Sequence, residues 1–103
     1  MKLSEEKKCY NAGKISGLST LTAYAKFKDY DKLIQEEIGM SPVNPMIHGL
    51  NWDRPWLMHM IYNLWMLLRC DAVFFQPNYQ ESRGARIEYA VSHFFGKRIF
   101  IHR

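Results

Sequence analysis

Residues 70–90 read CDAVFFQPNYQESRGARIEYA, and this stretch decides the fold. Ala72, Val73, Phe74 and Phe75 are continuously apolar, as in a strand covered on both faces. The strand is expected over residues 71–76. PNYQE supplies a turn, and Ser82 is a good N-cap for a helix that Gly96 ends.

The same alternation continues in both directions. Downstream, residues 97–102 (KRIFIH) read as a last strand. Upstream, residues 8–12 (KCYNA) read as a first strand ending at Gly13, followed by the loop GKISGL. Ser19 caps a helix running to about Glu37, with Gly39 just past its end. Residues 40–44 form a short second strand that Pro45 stops, and residues 45–52 form a loop. Asp53 is placed to cap the next helix, with Pro55 in its first turn.

The order β-α-β-α-β-α-β predicts an α/β three-layer sandwich on a short, four-stranded parallel sheet, flavodoxin- or Rossmann-like. In the common doubly wound order the first and third strands are neighbours, and the crevice where their outgoing loops diverge takes the ligand. Residues 1–6 read as a loose tail and residues 7–103 as a single domain.

Composition narrows the function classes. The chain has 103 residues, a net charge of +4 and 15% aromatic residues. The basic residues do not cluster on one face with interleaved aromatics, which argues against a nucleic-acid binder. The longest apolar run, near residues 56–68, contains His59 and Asn63 and is too short to span a membrane. MKLSEEKK carries no secretion signal. Cys9 and Cys70 have no metal-ligand spacing, nor do His48, His59, His93 and His102. A cytoplasmic protein with reduced thiols and no metal or cofactor is expected.

The two loops at the crevice carry the candidate chemistry. Gly13, Lys14, Ile15, Ser16 and Gly17 precede a helix, where free backbone N–H groups favour an anion. The segment matches neither GxGxxG nor a P-loop, and a plain tight turn explains it equally well. Around SRGARIE, Ser82 caps the helix and Gly84 lies in its first turn, where a ligand can approach. Ile87, Val91 and Phe94 make the helix's apolar stripe, with Glu88 on its flank. A carboxylate beside an apolar stripe is costly unless paired or used, although a surface Glu–Arg pair is the plainer alternative.

KKCYNAGKISG, VNPM, the 70–90 stretch and GKRIFI together resemble a bacterial and phage family of unknown function within the nucleoside 2-deoxyribosyltransferase superfamily. The resemblance covers about residues 7–101. It implies a nucleoside 2-deoxyribosyltransferase-like fold and cleavage of an N-glycosidic bond in a nucleoside or nucleotide, by hydrolysis or 2-deoxyribosyl transfer. Glu88 stands where the superfamily keeps its nucleophile. Tyr10 matches a tyrosine near that nucleophile. Ser82 occupies a position where serine goes with 5′-monophosphates and aspartate with free nucleosides. Gly13–Gly17 and Gly84 would then line the phosphate. At the position of the superfamily's proton-donating aspartate this chain has Asn63, which cannot deliver a proton at neutral pH. The competing reading is a nucleotide-binding module of the same fold with weakened chemistry.

Assembly is read from residues 56–68. Leu57, Met60, Ile61, Leu64, Leu67 and Leu68 form one apolar stripe, expected to face the sheet. Met58, Tyr62, Trp65 and Met66 extend it around the helix. Trp52 and Trp56 suit core or interface positions better than a base-stacking wall. A helix apolar nearly all round predicts a homodimer or larger homo-oligomer, whose ligand is a small nucleoside or nucleotide.

Overall fold

The computed structural model describes residues 7–15, 18–48 and 55–102. Within them the chain runs β1 (Lys8–Ala12), α1 (Thr20–Leu33), β2 (Ser41–Val43), α2 (Pro45–His48), α3 (Trp56–Leu68), β3 (Ala72–Phe75), α4 (Arg83–Phe94) and β4 (Arg98–Ile101). The expected tail at residues 1–6 and the cap at Asp53 lie outside the described residues.

The four strands form one parallel sheet in the order β2-β1-β3-β4. The first and third strands are therefore adjacent, as the alternation predicts. Asp71 fixes the start of that pairing, its Oδ2 accepting the Lys8 N–H at 3.0 Å. Pro42 is tolerated because β2 is an edge strand. Side chains of β1 and β3 alternate between two cores. Cys9, Ala72 and Phe74 meet Ile34 and Met40 on the α1 side, while Tyr10, Ala12, Val73 and Phe75 meet Met66 and Leu67 of α3 on the other. The result is a three-layer α/β sandwich of Rossmann-like type.

The caps fall where the sequence puts them. Ser19 Oγ accepts the Thr22 N–H at 3.1 Å. α1 widens at its end into a π-helical turn, Ile34–Ile38, closed by Gly39 at φ 80°. Gly96 follows α4 at φ 67°, a left-handed backbone that glycine adopts without strain. Lys97 then donates to the carbonyls of Leu68 and Cys70, at 2.8 and 2.7 Å, satisfying the end of α3.

Four expectations are corrected. The 45–52 segment is not loop throughout. Pro45 both ends the strand and opens the helical turn α2, which Asn44 starts by accepting the Met46 N–H at 2.8 Å. Pro55 is the N-cap of α3, one place before its first turn.

The stripe on α3 is also misassigned. Leu57, Ile61 and Leu68 are 62%, 61% and 38% exposed, and the buried residues are Met60, Met66 and Leu67. A helix apolar all round has no single face that periodicity can select. Gly84 of α4 makes the selection: a β-carbon there would lie 3.0 Å from the Met60 sulfur, so its absence admits Met60. On α4 the face turned inward is Ala85, Glu88 and Ser92, and Phe94 is 81% exposed. Two small residues let α4 sit close on the sheet, which moves Glu88 from the flank to the centre.

Candidate functional site

β1 and β3 end side by side, with Ala12 opposite Phe75 and the Gln76 N–H donating to the Ala12 carbonyl at 2.9 Å. Their loops diverge at Gly13 and Pro77, the switch point of a doubly wound sheet. Each face of the sheet carries a buried polar cluster.

On the α4 side the cluster is Tyr10 with Glu88. The Tyr10 hydroxyl donates to Glu88 Oε2 at 2.7 Å. Tyr10 is fully buried and Glu88 is 5% exposed. Burial pushes the Glu88 carboxyl up to about 7, and the Tyr10 hydrogen bond opposes that rise. Burial first, then the neighbouring carboxylate, holds the Tyr10 phenol well above its usual range. Tyr10 therefore stays a donor. Glu88 is poised to change charge near neutrality, which is where a nucleophile or general base is most useful.

The loop residues divide. Gly13, Lys14 and Ile15 are described and half-buried, whereas Ser16 and Gly17 lie outside the described residues. Ser82 Oγ accepts the Ala85 N–H at 3.2 Å as the cap of α4, leaving its own hydroxyl hydrogen for another acceptor. Gly84 makes room for Met60, a packing reason for glycine that sequence reasoning missed. Asn63 is half-buried on α3, and its side chain makes no hydrogen bond among the described residues. An open pocket of about 410 Å³ between the 77–80 turn and the end of β4 is lined by Pro77, Asn78, Tyr79, Gln80, Ile101 and His102, and by none of the expected site residues.

On the α1 side lies a buried network that the sequence reading did not assemble. Asn11 Nδ2 donates to the Phe27 carbonyl at 3.0 Å and to Asp31 Oδ1 at 2.9 Å. Asn44 Nδ2 donates to Asp31 Oδ2 at 2.8 Å, and Gln76 Nε2 donates to Asn11 Oδ1 at 2.7 Å. The Asp31 carboxylate can only accept, so it fixes both asparagine amides, and Asn11 in turn fixes Gln76. The Gln76 carbonyl is left buried without a partner, against Gly13. The signal was present: three of the four predicted strands carry an amide at or near their carboxyl end, at Asn11, Asn44 and Gln76.

Gly13 is the residue this network leaves no choice about. A β-carbon there would lie 2.4 Å from Gln76 Oε1. Gly13→Ala is expected to destabilise by about 1–3 kcal/mol in chemical denaturation, through forced repacking. The cost should shrink in a Gln76→Ala background, because the clash is then gone.

A family described as a domain of unknown function, DUF4406, matches residues 7–101. The chain belongs to this family. Among curated proteins none matches it. The DUF4406 match spans both polar clusters and both loops of the switch point. Among the described residues of this DUF4406 domain, no group of three or more His, Cys, Asp and Glu is placed to hold a metal ion. No helix among them is long and apolar enough to cross a membrane.

Proposed function

We propose that the protein cleaves the N-glycosidic bond of a 2′-deoxynucleoside 5′-monophosphate, with Glu88 as the nucleophile. The observation that carries this reading is the buried Tyr10–Glu88 hydrogen bond that joins β1 to α4. The resemblance to the nucleoside 2-deoxyribosyltransferases supports it, and Ser82 in place of aspartate favours the monophosphate, since a hydroxyl can donate to phosphate where a carboxylate repels it.

In this reading a Glu88 carboxylate oxygen attacks C1′ of the sugar. The bond to the base breaks and its electron pair leaves with the base, which takes up a proton from solvent. Water then attacks C1′ of the glycosyl-enzyme, releasing the sugar phosphate and restoring Glu88; a second base in place of water completes a transfer. Tyr10 holds the carboxylate in position. Only ionised Glu88 attacks, so base release should rise with pH through about 7. The test is base release from the 2′-deoxynucleoside 5′-monophosphates of DNA, with nucleosides in parallel. Glu88→Gln should abolish release and leave nucleotide binding intact.

Asn63 favours a second reading, a binding module with weakened chemistry, because no acid stands there to protonate the leaving base. Tight nucleotide binding without base release would decide for it.

We further propose a homodimer through α3. Leu57, Met58, Ile61, Trp65 and Leu68 form an exposed apolar face, with the Arg69 guanidinium over the Trp65 ring at 4.9 Å and Trp65 52% exposed. Light scattering at micromolar concentration should give twice the chain mass. Trp65→Glu should give the 12.2 kDa monomer with its fold retained. A monomeric parent protein overturns this assignment.

A further inference from the structure

The pocket beside the end of β4 has no part in the bond cleavage proposed above. β3 lies between β1 and β4, so the segment leaving it has Gly13 on one side and the end of β4 on the other. On the β4 side, Pro77, Asn78, Tyr79 and Gln80 face Ile101 and His102 across about 410 Å³. Small-molecule sites span about 300–1,000 Å³, so the volume suits a ligand of modest size.

The walls are fixed by hydrogen bonds. Asn78 takes a left-handed backbone at φ 67°, which asparagine adopts more readily than most residues. The Ser82 N–H donates to the Tyr79 carbonyl at 3.0 Å, and Arg86 Nη1 to the Gln80 carbonyl at 2.8 Å. On the opposite wall the His102 N–H donates to the Phe75 carbonyl at 3.0 Å. The His102 ring meets Tyr30 and Phe74 edge to face, with centroids 5.5 and 6.1 Å apart. Its Nδ1 is buried and makes no hydrogen bond among the described residues. A polar atom so placed costs stability unless something pairs with it.

The lining combines two carboxamides and an imidazole with a proline ring and an isoleucine, and none of the six residues is a carboxylate, a lysine or an arginine. A charged ligand would find no counter-ion among them. A carboxamide pairs best with a planar edge that sets a donor beside an acceptor. We infer that this pocket binds an uncharged planar heterocycle with an amide or amidine edge, the chemistry of a free nucleobase. His102 and the carboxamides of Asn78 and Gln80 are its polar contacts. The site does not depend on Glu88, although a base released there would belong to the class bound here.

NMR titration of the parent protein, His102→Phe and Asn78→Gly tests this, with adenine, uracil and benzoate as probes. Adenine and uracil should shift the signals of Asn78, Gln80 and His102, and benzoate, planar but charged, should not. His102→Phe keeps a ring against Tyr30 and Phe74 and removes the nitrogen. Asn78→Gly keeps the left-handed turn and removes the carboxamide. Each variant should weaken adenine about tenfold, the effect of one lost hydrogen bond, with its fold retained in thermal melts. Adenine affinity unchanged in both variants, equal binding of benzoate, or no binding of either base at millimolar concentration overturns the site. Shifts confined to Gly13, Tyr10 and Glu88 also overturn it and leave the nucleotide reading untouched. Base binding at His102 in a protein that releases no base from any monophosphate keeps the site and removes that reading.

Discussion

Glu88→Gln should melt higher than the parent protein at pH 8, by more than about 10 °C, and should match it near pH 5. The carboxyl is raised from its ordinary 4.5 to about 7 by burial between α4 and β1. A folded-state pKa above the unfolded one means the folded chain holds the proton more tightly. That stabilisation is complete below about pH 4.5 and is lost as pH rises through 7, a difference of about 3 kcal/mol. Glutamine can still accept the Tyr10 hydroxyl and cannot ionise, so it removes the loss and keeps the hydrogen bond. Thermal melts from pH 5 to pH 8 check this. Parallel profiles for the two proteins would mean that burying the charge at Glu88 costs nothing. A residue whose removal stabilises the fold is one retained for its chemistry, which is why this measurement bears on function.

The opposite outcome is expected at Asp31. Its carboxylate accepts from Asn11 and Asn44 at 2.9 and 2.8 Å, and both asparagines are fully buried. Asp31→Ala leaves a buried Asn11 N–H without its acceptor and takes from Asn44 the Asp31 bond, at a cost of about 2–4 kcal/mol. Asp31→Asn should fall between, since two donors converge on the site and an amide offers one acceptor oxygen. Chemical denaturation orders the three proteins. An alanine variant as stable as the parent would show that the network is not held by Asp31. The consequence extends to the site, because Asn11 orients Gln76 and Gln76 lies against Gly13. Loosening Asp31 should therefore loosen the packing of Gln76 against Gly13 as well as lower stability.

Much of this architecture is legible in the residues. The unbroken apolar run of β3 and the strand–helix alternation give the parallel sheet and the adjacency of β1 and β3. Ser19, Gly39, Ser82 and Gly96 punctuate the helices because each offers the one local feature a helix end needs, a side-chain acceptor or a left-handed backbone. What was not legible depends on which elements meet. The inward faces of α3 and α4 are chosen by the contact of Gly84 with Met60 and by two small residues, Ala85 and Ser92. A hydrophobicity pattern reads those three as neutral. The amides at Asn11, Asn44 and Gln76 resemble strand terminators until the sheet order brings Asn11 and Asn44 to one carboxylate and Gln76 to Asn11. Tyr10 and Glu88 stand 78 residues apart, so no spacing rule pairs them. Resemblance to a known superfamily singled out both residues.

The central claim is that Glu88 becomes covalently attached to the sugar of a nucleotide. Intact-protein and peptide mass spectrometry, after acid quench of the protein mixed with each 2′-deoxynucleoside 5′-monophosphate of DNA, tests it most directly. The expected result is one deoxyribose phosphate on the peptide containing Glu88, free base appearing in at least equal amount, and neither in Glu88→Gln. Base release that persists undiminished in Glu88→Gln, or tight binding of every monophosphate with no base released, would contradict it.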